Sequence, residues 1–128
     1  MRAFAALICG VWVAASSAFA QSPAPKVTPL LQESISGLPD KIFVTLSMEW
    51  PVGAALPRHT HPGDEYGSVI AGAFMVKIGS EDWKTYHAGQ SWHVPAGVVH
   101  ESKNDVDGTK TINSLIVEKG KPLSQPAP

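Results

Sequence analysis

From Lys41 to Trp50 the chain alternates. Ile42, Val44, Leu46, Met48 and Trp50 fall on one side; Thr45, Ser47 and Glu49 fall on the other. A period of two marks a strand with one buried face. The same texture recurs in EYGSVIAG, AFMVKIG, WKTYH, QSWHV, VVHES and KTINSLIVE. Turn formers separate these runs: Pro62-Gly63, Gly72, Gly79-Ser80, Ala88-Gly89, Pro95-Ala96-Gly97 and Asp107-Gly108. No segment of useful length after residue 20 has helical spacing. Short strands at this spacing predict an all-β sandwich or small barrel, and just over a hundred residues predict one domain with one core.

The two ends read differently. Residues 1–20 have the form of a secretory signal: Arg2, an uncharged apolar run from Ala3 to Ala15, and the small-x-small pattern Ala18-Phe19-Ala20. The apolar run is shorter than the ~20 residues that span a bilayer. The expectation is an exported, periplasmic protein that begins at Gln21 and has no membrane contact after cleavage. Residues 21–35 open with three prolines and are expected to form a flexible N-terminal arm, or a strand exchanged with a neighbour through Val27 to Ser36. Residues 36–121 form the predicted domain. Residues 122–128 are expected to be a flexible Pro-rich tail.

Charge and cysteine exclude more than they suggest. Cys9 is the only cysteine and lies inside the signal, behind Ile8 rather than a small residue. That excludes lipoprotein processing, disulfides and thiol chemistry. Without Arg2, nine basic and eleven acidic residues remain, a net charge of −2 with histidine neutral. There is no basic patch or charge run, which argues against nucleic acid as a partner.

The stretch RHTHPGDEYG carries the chemistry. His59 and His61 are two apart on an extended segment, so they point to one face. Pro62-Gly63 reverses the chain, and Glu65 can return to the same side. Two imidazoles and a carboxylate suit iron, manganese, nickel or zinc. A second stretch, GQSWHVPAGVVHESKN, places His100 just after the Pro95-Ala96-Gly97 turn. A strand from there beside the first hairpin would let His100 complete the set.

These residues also carry a family resemblance. Gly53, His59, His61, Glu65 and Gly72 match the first cupin motif, G-x5-H-x-H-x3-E-x6-G, at every fixed position. Gly89, Pro95, Gly97, His100 and Asn104 match the second, G-x5-P-x-G-x2-H-x3-N. The chain resembles small exported single-domain cupins, the monocupin or cupin type 2 group. The resemblance implies a cupin double-stranded β-helix: a conical antiparallel barrel of jelly-roll type with a metal inside. It assigns the metal-ligand role to His59, His61, Glu65 and His100. It also implies pairing into a homodimer, as cupins commonly do. In some cupin enzymes the glutamate leaves the metal to act as a base, which makes Glu65 a catalytic candidate.

The remaining polar residues divide into roles. His93 and His87 match no motif position and are read as structural or surface residues, His93 alternating with Trp92 and Val94, while His93 is also named as the one further acid-base candidate. Asp64 is read as a turn residue facing away from Glu65, and Asn104 as a partner of local backbone. Arg58 is read as surface or as a contact to a second subunit. Met48, Trp50, Met75 and Trp92 are candidate pocket residues for a small-molecule ligand.

Four protein ligands would saturate tetrahedral zinc, whereas an octahedral ion keeps two positions open. One divalent transition metal is therefore expected, with iron or manganese favoured and nickel or zinc as alternatives. The function predicted is a metalloenzyme acting on a small organic substrate, dioxygenase-like in chemistry. The alternative is a non-catalytic periplasmic module that binds a metal or small ligand. A third reading is a dimer scaffold.

Overall fold

The computed structural model describes residues 22–128. The secretory-signal reading of residues 1–20, with Cys9, lies outside the described residues. Ten strands follow in order: β1 (Lys26–Ile35), β2 (Leu38–Trp50), β3 (Ala55–Thr60), β4 (Gly63–Ala71), β5 (Ala73–Ile78), β6 (Lys84–His87), β7 (Ser91–Val94), β8 (His100–Lys103), β9 (Thr109–Glu118) and β10 (Gln125–Pro126). There is no helix among the described residues. All strand pairs are antiparallel, in two five-stranded sheets ordered β1-β2-β9-β4-β7 and β10-β3-β8-β5-β6. The all-β expectation holds, and the arrangement is the cupin double-stranded β-helix. The sheets face one another without closing into one hydrogen-bonded ring, so the expected barrel is two facing sheets.

Period-two burial builds the interior. On β9, Thr109, Thr111, Asn113, Leu115 and Val117 are buried, while the residues between them are not. Met48, Trp50, Val69, Phe74, Val76, Tyr86, Trp92 and Val94 form the main apolar cluster. Its centre is aromatic: ring centroids lie 4.4 Å apart for Trp50 and Phe74, and 5.3 Å for Phe74 and Trp92. Gly53, Gly72, Gly89 and Gly97 all have positive φ, the conformation that glycine adopts without steric cost.

Two expectations for the ends are corrected. Residues 26–35 do not form a loose arm. They pair with β2 of the same chain, from Lys26 opposite Glu49 to Ile35 opposite Leu38. Nearly every residue of β1 is exposed, so the segment lacks the apolar alternation that betrays a strand. The register shifts just after Pro29, the kind of irregularity where a proline without an N–H is tolerated. Residues 122–128 are not a free tail either. Gln125 pairs with Thr60, Pro126 pairs with His59, and the Ala127 N–H donates to the Arg58 carbonyl at 3.0 Å.

Candidate metal centre

His59 and His100 are register partners across β3 and β8, at one end of the second sheet. His61 follows β3 immediately. Glu65 projects from β4 of the facing sheet, where it pairs with Val94 and Leu115. Four side chains from two separate stretches of the sequence thus meet between the sheets, and all four are buried. The Pro95-Ala96-Gly97 turn that delivers His100 is tied down twice. The Gly97 N–H donates to the His61 carbonyl at 3.0 Å, and the Ala96 N–H donates to Asp64 Oδ1 at 2.8 Å. Asp64 therefore braces that turn from outside the site.

One nitrogen of each imidazole is already engaged by backbone. The Nδ1 atoms of His59, His61 and His100 lie 2.7, 2.6 and 3.1 Å from the carbonyl oxygens of Pro57, Leu123 and Val98. A carbonyl only accepts, so each Nδ1 carries the proton, and in the neutral ring Nε2 keeps its lone pair. The three histidines offer ligand atoms within 4.8 Å of one another. His100 Nε2 is an enclosed side-chain atom without a hydrogen-bond partner, and His61 Nε2 faces only Glu65. Glu65 is divided in the same way. Its Oε1 accepts the Trp92 indole N–H at 3.0 Å, and its Oε2 sits 2.9 Å from His61 Nε2. Without a proton between them, that nitrogen and that oxygen are two lone-pair bearers face to face. A cation resolves the clash, so the residues present fit a divalent metal.

The titration directions follow from this packing. Burial, then the neighbouring His59, pushes His100 down to about 4. Burial likewise lowers His59 against the pull of the Pro57 carbonyl. Burial would lower His61, but the Glu65 hydrogen bond and charge, with the Leu123 carbonyl, raise it above its ordinary value. Burial would raise Glu65, but His61 and the Trp92 N–H hold it below the usual carboxylate value.

Trp92 reaches Glu65 because Gly67 lies between them. A Cβ on Gly67 would come within 2.1 Å of the Trp92 ring, so only glycine lets the indole lie flat across β4. Beside the four polar groups lies a cavity of ≈ 190 Å³, walled by Met48, Trp50, Phe74, Val76, Trp92 and Leu115 among others. Asn113, Ser102 and Ser124 add neutral polar groups, and no lysine or arginine lines it among the described residues.

Two candidates are corrected. His93 lies on the outer face of β7, stacked on Tyr66 at 4.7 Å, with Nε2 3.3 Å from Asp64 Oδ2. It alternates with Trp92 and Val94, whose side chains point inward, so it cannot serve the cavity as an acid or base. Met75 shares the outer face of β5 with Lys77, while Phe74 and Val76 line the cavity in its place. Met48, Trp50 and Trp92 do line it. The Asn104 reading is too narrow: its Nδ2 reaches the Trp50 and Pro51 carbonyls at 3.0 and 3.2 Å as well as the local Val106 at 2.8 Å. Asn113 was not among the expected site residues, although the alternation of KTINSLIVE places it inward with Leu115. The Leu123 carbonyl was not among them either, being a main-chain group that no side-chain pattern announces.

Known proteins share this architecture. An uncharacterised double-stranded β-helix protein from Klebsiella pneumoniae subsp. pneumoniae superposes with a TM-score of 0.61 at 18% identity, covering 85% of this chain and 89% of the other. A DMSP lyase from Ruegeria pomeroyi gives 0.65 at 19%, covering 81% of this chain and 52% of the lyase. Oxalate decarboxylase from Bacillus subtilis gives 0.66 at 17%, covering 83% of this chain and 28% of the decarboxylase. The chain thus spans about half of the lyase and less of the decarboxylase, and at these identities the likeness is one of fold. No curated protein matches the sequence. The family described as the cupin domain matches residues 46–117, the span that holds both glycine-framed motifs and all four inward polar groups, and the chain belongs to that family.

Proposed function

We propose that this protein is an exported, metal-dependent cupin enzyme that acts on a small, largely apolar molecule bound through oxygen. His59, His61 and His100 would hold a divalent metal through Nε2, and Glu65 through Oε2. One observation carries the reading: three Nδ1–H groups are fixed on carbonyls, so that three Nε2 lone pairs converge. An iron or manganese ion there would supply Lewis acidity and redox chemistry, with two coordination positions beyond the protein's four.

The chain's own residues set what can bind. Three neutral imidazoles and one carboxylate leave a net charge of +1 on a divalent site. No cationic side chain lines the cavity, so anion recognition falls to the metal alone. A singly charged oxygen chelator with an apolar body matches both features. The volume of ≈ 190 Å³ is below the ~300–1,000 Å³ of sites for drug-sized ligands. Glu65 is the one carboxylate inside and the group placed to take a proton from the ligand. Dioxygenase-like oxidation is the favoured chemistry, since it asks least of side-chain acids and bases. The secretory pattern of residues 1–20 supports a periplasmic location. The edge strand β1, with Val27, Leu30 and Leu31 exposed, supports a homodimer.

A second reading is favoured by the outward placement of His93, which leaves Glu65 as the lone proton-handling group. In it the protein binds a metal and a small ligand without turnover. The test has two steps. Elemental analysis of tag-free residues 21–128 should give near one equivalent of iron, manganese or nickel, and little in the His59→Ala/His61→Ala double variant. Absence of metal in both, with none taken up on addition, sinks both metal readings. Oxygen uptake with small diols and catechols then separates enzyme from binder.

A further inference from the structure

Trp50, Thr111 and Asn113 form a one-way chain of hydrogen bonds beside the cavity. An indole N–H can only donate, and that of Trp50 donates to Thr111 Oγ1 at 3.0 Å. Thr111 thus accepts with its oxygen and passes its own proton to Asn113 Oδ1 at 2.8 Å. The amide of Asn113 is thereby oriented: its oxygen is occupied, and its NH2 takes no part in the chain. All three residues are buried, and both Trp50 and Asn113 line the cavity.

Asn113 sits opposite Gly67, and Leu115 sits opposite Glu65. Along the sheet the amide is therefore one inward position from Glu65, about 7 Å of strand. The other neutral polar groups of the wall, Ser102 and Ser124, carry rotating hydroxyls that both donate and accept. Asn113 alone has a donor of fixed direction.

We infer that Asn113 is the specificity-determining residue of the site, donating through Nδ2 to an uncharged acceptor oxygen on the far end of a metal-chelating ligand. The inference rests on the metal-dependent reading above and narrows its substrate class. The ligand has a chelating oxygen head, a short apolar body and a carbonyl-type oxygen a few bonds away. Thr111 is a positioning residue: it never meets the ligand and only keeps the amide turned.

The test uses residues 21–128 loaded with manganese(II) and two catechols that differ in one group, 3,4-dihydroxybenzaldehyde and 4-methylcatechol. Binding is followed by calorimetry, and metal content and thermal unfolding are recorded for every variant. The native protein should favour the aldehyde by ~2- to 10-fold more than Asn113→Leu does, the span of one net hydrogen bond. Comparing the ratio between proteins removes the difference in acidity of the two catechols. Thr111→Ser should keep the native ratio and Thr111→Val should lose it, which tests the claim even if Asn113→Leu folds poorly. Uptake of no metal overturns the metal reading, and this inference with it. A loaded native protein whose ratio equals that of Asn113→Leu and Thr111→Val, or that binds neither catechol, overturns this inference alone.

Discussion

His61 donates from Nδ1 to the Leu123 carbonyl at 2.6 Å, across 62 residues of chain. A proposed metal ligand is thus aimed by a segment that adds little to the sheets, since β10 is two residues long and pairs only with the edge of β3, and its main packing is Leu123 against Val44, Leu115 and Val117. Removing residues 122–128 should leave the sheets intact, free the His61 ring to turn, and open the cavity where Leu123 and Ser124 line it. Loss of such an outer partner typically costs 10- to 100-fold in metal affinity. Competition against a chelator of known affinity, on full-length and shortened protein, measures it; equal affinities would refute the role.

Trp92→Phe should weaken the apo protein. It keeps most of the packing against Phe74 and Tyr86 but deletes the N–H that Glu65 Oε1 accepts. One oxygen of a buried carboxylate then lacks a partner, at a cost of about 1–3 kcal/mol. Denaturant unfolding after chelator treatment reads this directly. Gly67→Ala should be worse, because its methyl would collide with the same indole.

Acid should destabilise the metal-free protein in a defined window. Unfolded histidine titrates near ~6.5, whereas folded His100 titrates at about 4. Between those values the unfolded chain binds the proton and the folded one does not, so stability falls as pH drops from about 6.5 to about 4. His59, also lowered, adds to the same slope. His61 works oppositely: its raised value gives stability that is full below its unfolded pKa and lost as pH rises through the folded one. His100→Gln should flatten the acid slope by up to roughly 3 kcal/mol, measured as unfolding free energy against pH. An unchanged slope would place the acid sensitivity elsewhere.

Leu30→Lys with Leu31→Lys should convert a dimer to a monomer in sedimentation experiments without changing metal content. β1 is a long edge strand with both residues in solvent, an arrangement that natural proteins ordinarily cover or charge. A native protein that sediments as a monomer removes the proposed dimer.

The sequence marked most of this fold because one buried face imposes its own alternation. The runs holding β2 and β4 to β9 carried that signal, and the glycine-framed motifs pointed to His59, His61, Glu65 and His100. What escaped has physical reasons. β1 is exposed, so its pairing leaves no hydrophobic period. β10 is held by main-chain bonds that any residue can make. Met75 was misplaced although alternation was there to read, since Lys77 shares its face, whereas the alternation of His93 with Trp92 and Val94 was legible and holds. The Trp50-Thr111-Asn113 chain depends on distances between strands, which spacing along one strand does not encode.

Three imidazoles held by the carbonyls of Pro57, Val98 and Leu123 have a consequence for how such a protein can change over time. A carbonyl survives almost any substitution of the residue that bears it. The cavity walls, made of side chains, can therefore drift from one shape to another while the ring orientations persist. Inheritance of the histidine cluster is thereby separated from the shape of the space beside it.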